Sequence, residues 1–92
     1  MSLESELVRK IHKYCAENDI WNLNIKDHNL NGTPDRLLVT RDGRYIWLEL
    51  KREDGLGSTS PIQTYRHKEM AGFKMEVYTI DSLDQLKEIL NG

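Results

Sequence analysis

Residues 33–51, TPDRLLVTRDGRYIWLELK, decide the fold. Arg36 to Thr40 and Tyr45 to Lys51 are rich in branched and aromatic residues, and Asp42-Gly43 between two such runs is among the clearest short-range signals of a β-hairpin. The register of that hairpin depends on its turn. A two-residue loop, Asp42-Gly43, sets Arg41 opposite Arg44 and Asp35 opposite Leu50, so that Asp35 and Glu49 point to opposite faces. A three-residue loop, Arg41-Asp42-Gly43, with Gly43 left-handed in a bulge, sets Thr40 opposite Arg44 and Asp35 opposite Glu49. Lys51 then stands two residues along on the same face. The three-residue loop is the expectation, because it alone gathers these charges; a two-residue turn would refute it.

In this register Leu37, Val39, Tyr45 and Trp47 share the acidic face, and Leu38, Ile46, Leu48 and Leu50 form the other. Both faces are apolar, which predicts strands covered on both sides. A strand so covered seldom carries two charges without a partner or an ion.

Working outward, Leu3, Leu7, Val8, Ile11, Tyr14 and Cys15 fall at helical spacing, with Ser2 as N-cap and Asn18 at the end. Trp21 to Lys26 predicts a short strand, and Asp27 to Pro34 a loop. Arg52 to Thr59 has two glycines and no apolar period, and is also a loop. Ser60-Pro61-Ile62-Gln63 supplies an N-cap, a proline at N1 and a capping-box glutamine, so a helix runs to about Ala71, with Gly72 as its left-handed cap. Phe73 to Ile80 predicts the last strand. Ser82 and Gln85 cap a final helix with Leu83, Leu86, Ile89 and Leu90 on its inner stripe. The order α-β-β-β-α-β-α, without repeats or linkers, is that of one α/β domain spanning residues 1–92.

The 92 residues are 38% hydrophobic and 30% charged, ordinary for a globular domain. No stretch is long and apolar enough to span a bilayer, and the amphipathic N-terminus does not resemble a signal peptide, so an intracellular, cytoplasmic setting away from membranes is expected. Cys15 is the one cysteine and reads as a small core hydrophobe. A formal net charge of −2 excludes nucleic-acid binding by bulk positive charge and leaves a local patch or bound metal ions as the means.

Two carboxylates on one face repel unless a cation lies between them. A hard divalent ion such as Mg²⁺ takes oxygen ligands, keeps several waters and is completed by phosphate oxygens. A lysine beside it can orient the attacking water and stabilise charge growing on the phosphate. Asp35, Glu49 and Lys51 therefore suit phosphodiester hydrolysis. Helix geometry adds Glu4, which points along the apolar stripe of the first helix, whereas Glu6 falls off it. Gln63, on the first turn of its helix, is placed to contact a phosphate or the catalytic water. Arg36, Arg52, Arg66, His67 and Lys68 offer local positive charge for DNA. With no paired His or Cys spacing, a zinc site is not expected.

At Gly32-Thr33-Pro34-Asp35, Glu49-Leu50-Lys51 and Ser60-Pro61-Ile62-Gln63 the chain resembles the VRR-NUC family of the PD-(D/E)xK nuclease superfamily. The resemblance implies a restriction-endonuclease-like mixed sheet flanked by helices. It also implies Mg²⁺ or Mn²⁺ held by Asp35, Glu49 and the Leu50 carbonyl, Lys51 as the catalytic lysine, and Glu4 and Gln63 as the acidic and glutamine residues of the family's site. Small stand-alone members look like bacterial or viral proteins and are similar to enzymes acting on branched DNA. A four-way (Holliday) junction calls for two cuts, which a C₂ homodimer supplies by symmetry. The alternatives are a flap or duplex nuclease and, from another class, a catalytically silent DNA-binding module.

Overall fold

The hairpin closes through three residues. Gly43 N–H donates to the Thr40 carbonyl and Thr40 N–H to the Arg44 carbonyl, both at 3.0 Å, and Gly43 has φ +86°. A side chain at that φ meets its own backbone, so the turn needs glycine. The pairs that follow, Val39 with Tyr45 through Arg36 with Leu48, are those of the three-residue register. One further step sets Asp35 opposite Glu49.

The computed structural model describes residues 3–25, 32–51 and 59–92, with side chains described from residue 6 onward. Its elements are α1 (Leu3–Glu17), β1 (Trp21–Asn24), β2 (Arg36–Val39), β3 (Tyr45–Leu50), α2 (Pro61–Gly72), β4 (Glu76–Ile80) and α3 (Leu83–Asn91), in the expected order. The sheet runs β1-β2-β3-β4, antiparallel except for the parallel β3–β4 pair. A parallel neighbour demands a crossover, and α2 provides it. The predicted Ser2 cap, the Glu4 side chain and Arg52 lie outside the described residues.

Strand alternation divides the sheet into two faces. On one, Leu38, Ile46, Leu48, Leu50 and Ile80 meet Leu7, Ile11 and Cys15 of α1 and Leu86 of α3, all essentially inaccessible. Each such side chain stabilises the fold by roughly 1.5–3 kcal/mol relative to exposure. Cys15 is a core residue as expected, and burial pushes its thiol up to about 11. At the rim of this face Arg44 makes a bidentate bond to Glu76, at 2.7 and 2.8 Å, and the Tyr78 hydroxyl donates to the same carboxylate.

The other face carries α2 and departs from the expectation of full cover. Leu37 is 9% exposed, but Tyr45 is 58% and Trp21 64% exposed. α2 packs against β4, so the β1–β2–β3 portion of this face is left partly open.

The end of α2 also differs. The helix runs through Gly72, and the left-handed residue is Lys74, φ +66°. Lys74 N–H donates to the Ala71 carbonyl and Met75 N–H to the Met70 carbonyl, a Schellman closure displaced two residues past the glycine. Residues 73–75 are consumed by it, which is why β4 begins at Glu76 rather than Phe73. No helix among the described residues is long and apolar enough to cross a membrane.

Candidate active site

The site forms where β2 begins and β3 ends. Pro34 is fully buried and fixes the approach to Asp35, whose carbonyl accepts from Ile25 N–H at 2.7 Å, extending the β1–β2 ladder. Glu49, opposite Asp35, is 4% exposed, unlike the solvated strand residue that an isolated Glu-x-Lys would suggest. Directly opposed residues of antiparallel strands have Cβ atoms about 4.5–5.5 Å apart, near enough for both carboxylates to share one cation.

Lys51 follows on this face. Its N–H donates to the Ile80 carbonyl at 2.9 Å, which holds the backbone to β4, and its Nζ donates to Gln63 Oε1 at 3.0 Å. That oxygen also accepts from Ser60 N–H at 3.1 Å, and Ser60 Oγ accepts from Gln63 N–H, so a complete capping box positions the glutamine. Gln63 therefore meets the lysine, where the sequence led us to expect a phosphate or water contact.

Gly32 joins the two halves. At φ +85° its Cα lies so close to α2 that a Cβ would come within 2.6 Å of the Ile62 carbonyl oxygen. The segment leading to Asp35 is thereby seated on the first turn of the helix that carries Gln63. Only a residue without a side chain permits this approach.

His67, grouped with the basic residues on sequence grounds, has a different character. It lies one turn beyond Gln63 on the same side of α2, half-buried, and its Nε2 is buried with no hydrogen-bond partner among the described residues. Burial, and then the charge of Lys51, push its imidazole below the usual histidine range, with Asp35 opposing. Burial and the Lys51 charge both favour its neutral form over the cation. Its i+4 spacing from Gln63 was the available signal.

The proposed DNA contacts are less concentrated than expected. Arg36 is 8% exposed and donates to Asn22 Oδ1 at 3.3 Å, and strand alternation points it to the α1 side, away from Asp35. Arg66 pairs with Glu69 at 2.6 Å and lies over the Tyr65 ring. Lys68 is exposed. Glu6 pairs with Arg9, so the competing helix acid is engaged elsewhere.

The structure thus brings together Asp35, Glu49, Lys51 and Gln63. Two carboxylates form an all-oxygen donor set that fits Mg²⁺ or Mn²⁺. Among the described residues no group of three His, Cys, Asp or Glu side chains stands close enough to hold an ion alone, so these two fit a site completed by water, backbone carbonyl and phosphate oxygens.

No family model matches the sequence, and no curated protein does. Among solved structures, one described as a VRR_NUC domain superposes with a TM-score of 0.85 at 15% sequence identity, covering 99% of this chain and 97% of the other. A mixed sheet in this strand order, flanked by helices in the order α-β-β-β-α-β-α and superposing over nearly its whole length, gives the chain the restriction-endonuclease-like fold of a VRR_NUC domain.

Proposed function

We propose that this chain is a metal-dependent endonuclease that hydrolyses phosphodiester bonds in DNA, residues 1–92 forming one nuclease domain. The observation that carries the reading is a buried Glu49 opposite Asp35, on the face where Gln63 holds the Lys51 ammonium. Asp35 and Glu49 would hold Mg²⁺ or Mn²⁺, with the Leu50 carbonyl and Glu4 as the further expected ligands. A divalent ion there supplies Lewis-acid polarisation of the phosphate and lowers the pKa of a bound water.

The remaining chemistry belongs to side chains. Lys51 orients the attacking water and places positive charge where the phosphate gains negative charge in the transition state. Gln63 keeps that ammonium extended, and Glu49, unable to move in its packed strand, keeps the carboxylates in register. The favoured substrate is branched DNA, above all a four-way junction cut by a homodimer whose two-fold axis matches that of the junction.

The test is cleavage of labelled junction, flap, nicked and linear DNA with Mg²⁺, Mn²⁺ or EDTA. We expect metal-dependent cleavage, favouring the junction, with a loss of about 10²–10³-fold in Lys51→Ala and a comparable or larger loss in Asp35→Asn. Absence of cleavage on every substrate would refute the enzyme and leave the DNA-binding module. Preference for flap or linear DNA, or a monomeric mass in light scattering, would refute the junction reading.

A further inference from the structure

Every large hydrophobic side chain exposed among the described residues lies on α2, at the turn following it, or on the sheet face that α2 only partly covers: Trp21, Leu23, Tyr45, Ile62, Tyr65 and Phe73. None lies on the α1/α3 face. Large contiguous apolar patches usually mark a binding surface, and four aromatic rings here, those of Trp21, Tyr45, Tyr65 and Phe73, are more than half exposed.

Register arranges the sheet part in rows. Trp21, Val39 and Tyr45 form one and Leu23, Leu37 and Trp47 the next; the same register carried one residue beyond Arg36 and Leu48 puts Asp35 and Glu49 in the third. Successive rows lie about 6.8 Å apart. The two apolar rows carry no charge, and two of the described cations, Arg41 and Arg66, are engaged with Asp19 and Glu69. A phosphate finds no counter-charge there, whereas a neutral planar group finds aromatic faces.

We propose that these rows bind unpaired nucleobases by stacking, next to the phosphate held at Asp35 and Glu49. The proposal rests on the hydrolysis of DNA at this site and not on the four-way junction: it favours branched DNA that exposes unpaired bases beside the cut over a fully paired junction. It also supplies affinity that a chain of net charge −2 lacks from electrostatics. A second copy of the chain seated on the rows would cover the adjoining acidic row, whereas a strand lying across the rows leads into it.

The experiment measures binding of the full chain in EDTA to a short oligothymidylate and to an abasic strand of equal length, by tryptophan fluorescence and anisotropy. Wild type should bind the base-bearing strand at least tenfold more tightly. Trp21→Ala and Tyr45→Ala, both at exposed positions, should each lose roughly 5- to 100-fold on that strand only. Equal affinity for the two strands, wild-type binding by both variants, or a concentration-dependent dimer abolished by Trp21→Ala would overturn the proposal. Base-dependent binding without cleavage under any metal would overturn the nuclease reading alone, and cleavage with base-indifferent binding would overturn the stacking alone.

Discussion

Helices α2 and α3 begin identically and end in different roles. Each is opened by Ser-x-x-Gln with both capping-box bonds formed, Ser60 with Gln63 and Ser82 with Gln85. Gln85 Oε1 spends its capacity on backbone, accepting from Asp81 and Ser82 N–H. Gln63 Oε1 accepts from Ser60 N–H and from the Lys51 ammonium. Their sides toward the sheet diverge in the same way. α3 presents Leu86, fully buried, with Leu83, Ile89 and Leu90 around it, whereas α2 has no buried residue and turns Gln63 and His67 toward Lys51. One local signal thus serves two purposes, and the second partner of the glutamine separates them.

The comparison can be broken at its largest expected effect first. Leu86→Ala should cost about 2–5 kcal/mol in urea unfolding, as in other fully buried leucine truncations. Met70→Ala in half-buried α2 should cost less than half as much; equal losses would mean that α2 is as much a core helix as α3. Next, Gln63→Ala removes one side-chain bond to the backbone and Gln85→Ala two, and each should cost about 0.5–1.5 kcal/mol per bond lost. Only Gln63→Ala should also lower DNA cleavage, and parallel behaviour in the cleavage assay would erase the distinction. The smallest effect lies at the C-terminal end of α2. Lys74→Gly should raise stability by up to about 1 kcal/mol, because glycine adopts the positive φ without steric cost; a lower thermal midpoint would show that the lysine side chain contributes more than its backbone strain.

Elements with strong local chemistry were legible in the sequence. Asp42-Gly43 with its flanking runs gave the hairpin, and the chemical need to gather Asp35, Glu49 and Lys51 on one face chose its three-residue register; both capping boxes gave helix starts to the residue. What failed depended on three-dimensional context. Gly72 is a reasonable helix stop, yet the Schellman bonds select Lys74, and nothing local distinguishes the two. Arg36 resembles a surface cation until alternation turns it under α1. His67 escaped because a helix whose inner side is polar has no apolar stripe to orient it, so which residues face inward could not be read. Full cover on the acidic face was inferred from apolar composition, but aromatic residues there remain exposed, and composition cannot say whether a neighbour covers them.

The turn at Gly43 has a consequence at a distance. Because strand side chains alternate, the partner that Asp35 meets is decided by whether the loop at the far end of the hairpin is odd or even in length. Were Arg41 drawn into the strand to pair with Arg44, leaving only Asp42-Gly43 in the turn, the partner of Asp35 would change from Glu49 to Leu50 and the carboxylates would divide between the two faces of the sheet. Drawing one residue from each strand into the turn would conserve their pairing. An exposed turn at the far end of the hairpin therefore fixes, through the bulge at Gly43, which residue Asp35 meets.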